Sequence, residues 1–258
     1  MKNTLHFFVP PEALRSDQVA LADPGLAHQL GRVLRLGLGD RVLFLDGHGG
    51  ACEVELTALG RDEVRGRVMR RGPAEGEPPL ALVVYLPLIR PERFEWALQK
   101  CVELGAAALV PVVFARSLVA DQADARKLER WRRIVREAAE QSCRGLLPSV
   151  AAPQTFAAAC AQAATADLAI MLWEGEAPTL RDVLRAHRGA AAAGEVAPGV
   201  RRLASVALLS GPEGGITEAE LTAAQASGIM AASLGPRILR AETAPIAAAA
   251  ILMAELEA

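Results

Sequence analysis

The sequence lacks the residue patterns that several common kinds of site require. Its four cysteines, Cys52, Cys101, Cys143 and Cys160, include no Cys-x-x-Cys pair, so they indicate neither a zinc ligand set nor a dithiol redox site. The four histidines show no metal-binding spacing such as His-Glu-x-x-His, and we expect no metal. Scattered thiols fit a reducing compartment better than a disulfide scaffold, so we expect a cytoplasmic protein.

Long apolar runs and a strong net charge are also missing. No stretch approaches the roughly 20 apolar residues of a membrane helix, and the start, Met1–Thr4, does not resemble a secretory leader. With 28 basic and 30 acidic residues the net charge is −2, so any RNA contact must come from local patches. Only three of the 28 basic residues are lysines; the arginines suit phosphate contacts, although a biased genome composition would give the same count.

Composition and patterning predict two domains. The segment Gly72–Pro79 holds three prolines and two glycines, which is typical of an interdomain linker. Before it, Cys52–Leu56 and Val64–Val68 alternate between small or apolar and charged residues, the period of a half-buried strand. We therefore predict a small β-barrel over residues 1–73 and a second domain over residues 80–258.

The second domain has the rhythm of an α/β fold. Continuous apolar runs indicate strands buried on both faces of a parallel sheet, and amphipathic segments between them indicate helices. A low-complexity stretch, Ala186–Arg202, is interpreted as a loop. The predicted strands include Leu80–Leu86, Leu109–Val113, Leu168–Leu172 and Val206–Leu209, and the predicted helices include Pro91–Leu104, Lys127–Ser142 and Ile246–Leu256.

A glycine-rich loop, Gly211–Gly215, follows one of these strands. Thr217 and Glu220 form a capping-box pattern that marks the start of the next helix. The loop has neither the Lys-Ser/Thr ending of a P-loop nor the spacing Gly-x-Gly-x-x-Gly, so ATP and nicotinamide binding are not supported. Glycines allow a backbone to approach a ligand closely, but the same residues also suit an ordinary tight turn.

A second loop, Ser233–Pro245, carries Arg237, Arg240 and Glu242 between two buried elements. Charged side chains in such a place are costly unless they pair with each other or bind a ligand. An Arg–Glu pair that only fixes the loop is one explanation, and a ligand site is the other.

Taken together, the two loops resemble the signature of the SPOUT-class RNA methyltransferases. The match is to the family that methylates N3 of a uridine in small-subunit ribosomal RNA, the RsmE family. Ala115 departs from the pattern, since many relatives carry an acid there. Further matching segments are His6–Val9, Val33–Asp40, Leu98–Gly105, Ala115–Ser117 and Arg130–Arg144.

This resemblance implies a fold and a function. The fold would be a PUA-like or OB-like barrel that binds RNA over residues 1–73, and a SPOUT domain with a trefoil knot over residues 80–258. The protein would act as a homodimer, use S-adenosylmethionine, and methylate small-subunit ribosomal RNA, free or in the assembled subunit, with no membrane or DNA partner. Two alternatives are a non-catalytic RNA-binding assembly factor and a SPOUT methyltransferase acting on another RNA.

The resemblance, together with the chemistry of methyl transfer to uridine N3, suggests roles for particular residues. Arg240 would stabilise negative charge on the target base, and Glu242 is the nearest candidate general base, although pairing with an arginine would weaken it. The cofactor would contact Leu172, Glu174, Gly211, Pro212, Glu213, Gly214, Gly215, Leu234, Gly235, Ile238, Leu239 and Arg240. RNA would contact Arg144, Lys100, Arg116, Arg237 and His6.

Overall fold

The structure, a computed structural model, describes residues 5–117, 124–192 and 203–256. The chain forms two compact units, one of Met1–Glu77 with Ala139–Leu147 and one of Pro78–Ala138 with Pro148–Ala258. The sequence places the segment 139–147 in the second domain, whereas in the structure it packs with the first unit. Within the described residues, no helix combines the length and apolarity that crossing a membrane requires.

The first unit contains a five-stranded sheet in the order β1-β3-β4-β5-β2. The pair β1 and β3 is parallel, and the other three pairs are antiparallel. Closure of this sheet into a barrel stays a prediction. The elements are β1 (His6–Phe8), a 3-10 turn (Pro11–Leu14), β2 (Gln18–Leu21), α1 (Pro24–His28), a π-helical turn (Gln29–Val33), β3 (Arg41–Leu45), β4 (Gly50–Leu59) and β5 (Val64–Pro73).

The alternating pattern read from the sequence sets the faces of this sheet. Cys52, Val54 and Leu56 are buried in β4, as predicted, and the glutamates between them are partly exposed. Opposite them, Gly66 of β5 lies so close that an added Cβ would come within 2.3 Å of Val54 Cγ1. Cys52, Val54 and Leu56 belong to the core of the unit, together with residues outside β4 such as Leu30 and Phe44.

The predicted linker does more than connect the units. Glu77, near its end, accepts hydrogen bonds from the Arg144 guanidinium at 2.7 and 2.9 Å and from the backbone N–H groups of Gly145 and Leu146 at 2.8 and 2.9 Å. The Arg144 side chain is only 4% exposed. This buried ion pair anchors the segment 139–147 to the first unit.

The second unit is built on a parallel sheet in the order β12-β10-β11-β6-β7-β8, with β9 also paired to β7. Every pair in it is parallel, and β10 is buried along its whole length. The α/β prediction is therefore confirmed. The strands are β6 (Ala81–Pro87), β7 (Ala106–Val113), β8 (Ser149–Val150), β9 (Gln154–Thr155), β10 (Leu168–Leu172), β11 (Ser205–Leu209) and β12 (Met230–Ala232).

The predicted helices Pro91–Leu104, Lys127–Ser142 and Ile246–Leu256 are present, with ends shifted by a few residues, and the structure adds two helices that the sequence analysis did not predict, Phe156–Ala163 and Leu180–Ala192. The last helix of the chain begins three residues earlier than the predicted Ile246. The predicted loop Ala186–Arg202 is wrong up to Ala192, because its alanine-rich first part continues a helix, as strong helix formers do; residues 193–202 lie outside the described residues. The helices are α2 (Pro91–Glu103), α3 (Ala125–Gln141), α4 (Phe156–Ala163), α5 (Leu180–Ala192), α6 (Glu218–Ala226) and α7 (Thr243–Leu256).

The capping box predicted at the start of α6 is present. Thr217 accepts a hydrogen bond from the Glu220 backbone N–H, and the Glu220 carboxylate accepts one from the Thr217 N–H at 2.9 Å. The second carboxylate oxygen of Glu220 accepts the backbone N–H of Ala115 at 2.8 Å. Glu220 therefore joins the start of α6 to the loop after β7.

We expect Glu220→Ala to lower the free energy of unfolding by about 1–3 kcal/mol, because the cap and the bond to Ala115 are both lost. Glu218→Ala, an exposed position in the same helical turn, is the control and should change it by less than about 0.5 kcal/mol. Chemical denaturation followed by circular dichroism measures both. Equal decreases in the free energy of unfolding in the two variants would show that the hydrogen bonds of Glu220 to Thr217 and Ala115 do not stabilise the fold.

Candidate functional site

A cavity lies beyond the carboxyl ends of β10, β11 and β12, three adjacent strands of the parallel sheet. This is the edge at which open α/β sheets bind ligands. The cavity has a volume of about 980 Å³. Three loops enclose it, namely those that follow Leu172, Leu209 and Ala232. Its lining also includes residues that the sequence did not single out, among them Arg93, Trp173, Thr179, Ser210, Ile216, Ser233 and Ala244.

The structure brings nearly all of the predicted cofactor residues together around this cavity. The exception is Gly214, which does not line it. A Cβ on Gly214 would meet both the Cβ and the carbonyl oxygen of Arg116 at 2.8 Å, so this glycine lets two backbones approach. The predicted residues in the lining are Leu172, Glu174, Gly211, Pro212, Glu213, Gly215, Leu234, Gly235, Ile238, Leu239 and Arg240.

Two glycines of the loop after β11 are required by their surroundings. Gly215 has φ +75°, and a Cβ there would lie 2.7 Å from Glu174 Oε1. A Cβ on Gly211 would lie 2.6 Å from Cγ1 of Ile216, which is buried beneath the loop. Close packing against Glu174 and Ile216 therefore requires glycine at these two positions, and an ordinary tight turn would not.

Ser210 supplies a buried hydroxyl at the wall of the cavity. The residue is 1% exposed, and its backbone N–H is bonded to the Tyr85 carbonyl at 3.1 Å. Its Oγ has no hydrogen-bond partner among the described residues. Because buried hydroxyls are nearly always satisfied, this oxygen is available to a molecule that fills the cavity.

Four charged side chains form a cluster, and three of them, Arg93, Glu213 and Arg240, line the cavity. The Arg93 Nη1 lies 3.7 Å from Glu213 Oε1, and the Arg93 Nε lies 3.7 Å from Glu242 Oε1. The Arg240 Nη1 lies 4.0 Å from that same Glu242 oxygen. The Glu242 side chain is 9% exposed, whereas that of Arg240 is 74% exposed. The predicted Arg–Glu pair thus exists, with Arg93 as a further member.

The residues predicted to contact RNA have different surroundings. Arg144 lies in the buried pair with Glu77, which argues against its expected contact, because binding a phosphate would break that pair. Lys100 is held by Glu103 at 2.8 Å on α2. His6 lies in β1, paired in register with Leu43. Arg116 and Arg237, in contrast, are exposed on loops of the second unit.

Arg116 and Arg237 also lie next to the cavity. Arg237 is part of the lining, and Arg116 Nη1 donates a hydrogen bond to the carbonyl oxygen of Gly214 at 3.2 Å. Both arginines therefore border the loops that enclose the cavity.

Buried cysteines take no part in the site. Burial raises the pKa of Cys101 to about 12. It also raises the pKa of Cys160 to about 11, with Glu220 adding a smaller contribution. Both thiols stay protonated at neutral pH, and thiolates are the nucleophilic form. Neither side chain lines the cavity.

Comparison with known proteins decides the family. A model of the RNA methyltransferase domain matches residues 76–253, and one of the RNA methyltransferase PUA domain matches residues 26–69. Ribosomal RNA small subunit methyltransferase E of Synechocystis is 37% identical, over 96% of this chain and 77% of that protein. The enzyme of the same name from Bacillus subtilis is 31% identical, over 89% and 88%. The chain belongs to the ribosomal RNA small subunit methyltransferase E family.

A solved structure of this family agrees with the fold. Ribosomal RNA small subunit methyltransferase E from Neisseria gonorrhoeae, bound to S-adenosyl methionine, superposes with a TM-score of 0.83 at 29% identity. The superposition covers 97% of each chain. The predicted resemblance to the RsmE family is therefore confirmed, as are the α/β methyltransferase fold and the PUA domain.

Proposed function

We propose that this protein transfers a methyl group from S-adenosylmethionine to N3 of a uridine in small-subunit ribosomal RNA. As a member of its family it is an S-adenosylmethionine-dependent methyltransferase of small-subunit ribosomal RNA. The cavity formed by Gly211–Gly215 and Leu234–Arg240 is the observation that carries the proposal. The choice of uridine N3 rests on the resemblance of these two loops to the family signature.

The residues around the cavity suit the proposed cofactor. Leu172, Leu234 and Leu239 offer apolar contacts, the unpartnered hydroxyl of Ser210 offers a hydrogen bond, and the acid Glu213 can face positive charge. The cavity volume of about 980 Å³ lies at the upper end of the range of about 300–1,000 Å³ for small-molecule sites. When bound, S-adenosylmethionine supplies a methyl group that its sulfonium centre already activates.

The chain itself must position the uracil ring and stabilise its charge. N3 of uridine carries a proton that has to leave, and negative charge then spreads to the flanking carbonyl oxygens. Arg240, with its guanidinium 74% exposed at the cavity, is suited to donate to one of these oxygens. A positively charged donor that faces the negative charge developing on uracil lowers the free-energy barrier to methyl transfer.

Glu242 is better suited to orient Arg240 than to act as a base. Its Oε1 is shared by the guanidinium groups of Arg93 and Arg240, so this oxygen faces two arginines and not the uracil ring. We therefore assign to Glu242 a positioning role and leave proton removal to water. This replaces the expected role of Glu242 as general base.

Ribosomal RNA would approach from the side where the exposed arginines lie. We assign phosphate contacts to Arg116 and Arg237, which flank the cavity, and a weaker one to Lys100, which must leave Glu103 to make it. A uridine in structured RNA has to be splayed out to enter the site. Closure of the first unit into a barrel, the trefoil knot, a homodimer and a cytoplasmic location are the finer parts of this proposal.

Gly215→Ala should weaken the binding of S-adenosylmethionine by at least about tenfold. The added methyl group would collide with Glu174, and the left-handed backbone would be strained. Gly228→Ala is the control, because Gly228 also has a positive φ, +84°, but nothing lies within 4 Å of an added Cβ. Isothermal titration calorimetry then compares a strained substitution in the cavity lining with one outside it; equal affinities would place the cofactor elsewhere.

Transfer of a labelled methyl group to different RNAs tests the substrate class. We expect label in small ribosomal subunits that lack the modification, and little in large subunits or transfer RNA. Label in transfer RNA alone would indicate a methyltransferase with another target. Cofactor binding without any transfer, or no cofactor binding, would favour a non-catalytic assembly factor.

A further inference from the structure

Arg93 occupies a position where a helix does not favour a cation. It lies in the first turn of α2, which begins at Pro91. The free N–H groups of a helix start carry partial positive charge, so an arginine there is disfavoured by about 0.3–1 kcal/mol. An arginine at the positive end of a helix dipole indicates that acidic groups elsewhere in the molecule interact with its charge.

The two edges of the Arg93 guanidinium face two different loops. Nη1 is 3.7 Å from Glu213, in the loop after β11, and Nε is 3.7 Å from Glu242, in the loop after β12. Residues of both loops line the cavity, and Arg93 itself lines it. One planar group can therefore hold both loops, which the single point charge of a lysine cannot do in the same way.

The contacts of this cluster are loose in the structure. Distances of 3.7 Å are those of ion pairs and are too long for hydrogen bonds. In addition, Glu242 Oε2 is buried and has no hydrogen-bond partner among the described residues. Catalytic contacts are often long in ligand-free proteins and shorten in the complex. The unpartnered Glu242 Oε2 is an acceptor that a shortened contact within this cluster could use.

We propose that Arg93 is a positioning residue that joins the two cofactor loops and sets both the affinity for the cofactor and the placement of Arg240. Arg93 and Arg240 share one oxygen of Glu242. Without Arg93, the carboxylate of Glu213 loses its ion partner, and Glu242 draws Arg240 toward itself and away from the substrate. The inference rests on the proposed cofactor site and concerns a residue that the family signature loops do not contain.

A double-mutant cycle tests this inference. We expect Arg93→Ala to weaken S-adenosylmethionine binding by about 10- to 100-fold, the loss seen in metal sites when a residue that orients a ligand is removed, and to lower kcat as well. Arg93→Lys should recover part of the affinity. In a protein that already carries Glu213→Gln, Arg93→Ala should lower the cofactor affinity much less, because the carboxylate charge that Arg93 neutralises is no longer there. Calorimetry gives the affinities without requiring RNA.

Arg181→Ala is the matched control. Arg181 lies 3.8 Å from Glu255 and joins α5 to α7, but it does not line the cavity. Arg181→Ala should leave the affinity for S-adenosylmethionine unchanged. The unfolding temperature should change by the same amount in Arg181→Ala and in Arg93→Ala. Unchanged affinity in Arg93→Ala, or the same loss in both backgrounds, overturns the inference. Failure of the unaltered protein to bind the cofactor would instead overturn the proposed function.

Discussion

Replacing Arg240 by alanine is expected to lower kcat for methyl transfer by about 100- to 1,000-fold, the cost of removing one donor that faces developing charge. The guanidinium group is exposed at the cavity, and among the described residues its ion partner is Glu242, at 4.0 Å. Single-turnover transfer to small ribosomal subunits, with cofactor saturating, measures this step.

Arg240→Lys separates charge from geometry. A lysine keeps the positive charge but lacks the planar fork of the guanidinium, so we expect it to recover only part of the rate. Cofactor affinity, measured by calorimetry, should change far less than kcat in both variants. A rate within about threefold of the unaltered protein in Arg240→Ala would rule out the proposed role.

Glu77→Ala should lower the free energy of unfolding of the first unit by about 3–5 kcal/mol, because it removes the carboxylate that pairs with a buried arginine. Arg144 is 4% exposed, and the backbone N–H groups of Gly145 and Leu146 lose their acceptor as well. Glu53→Ala is the control, since Glu53 pairs with Arg41 at 3.2 Å at a more exposed site and should cost at most about 1 kcal/mol.

The same ion pair makes the first unit sensitive to acid. Burial alone would raise the pKa of Glu77, but hydrogen bonds from Arg144, Leu146 and Gly145 outweigh it, and the pKa lies below its ordinary value. Ionised Glu77 therefore stabilises the fold at neutral pH, and this contribution is lost as pH falls below the ordinary value and through the folded one. Glu77→Ala should lose that part of the acid dependence; an unaltered pH profile would contradict the assignment.

Local patterns predicted most of the second unit correctly. The strands β10 and β11 are continuous apolar runs, and the capping box at Thr217 and Glu220 marks the start of α6 within one residue. Such features depend on neighbours a few positions apart, which a sequence displays directly. The loop residues around the cavity were found through a resemblance to a family and not through their chemistry.

What the sequence did not reveal depends on residues that are far apart in the chain. Glu77 and Arg144 are separated by 67 positions. The sequence therefore did not show that Glu77, in the predicted linker, forms an ion pair, or that Arg144, which we expected to contact RNA, is buried. Arg93 meets Glu213 and Glu242 only because the sheet brings α2 beside two later loops. Its one local signal is its place in the first turn of a helix, which is too weak to identify a partner.

The most direct test of the central claim is the identity of the modified nucleoside. Small ribosomal subunits that lack the modification are incubated with the protein and labelled S-adenosylmethionine, and the RNA is digested to nucleosides and separated by chromatography with mass detection. We expect the label in 3-methyluridine alone. Label in a different methylated nucleoside, with cofactor binding intact, would contradict transfer to uridine N3.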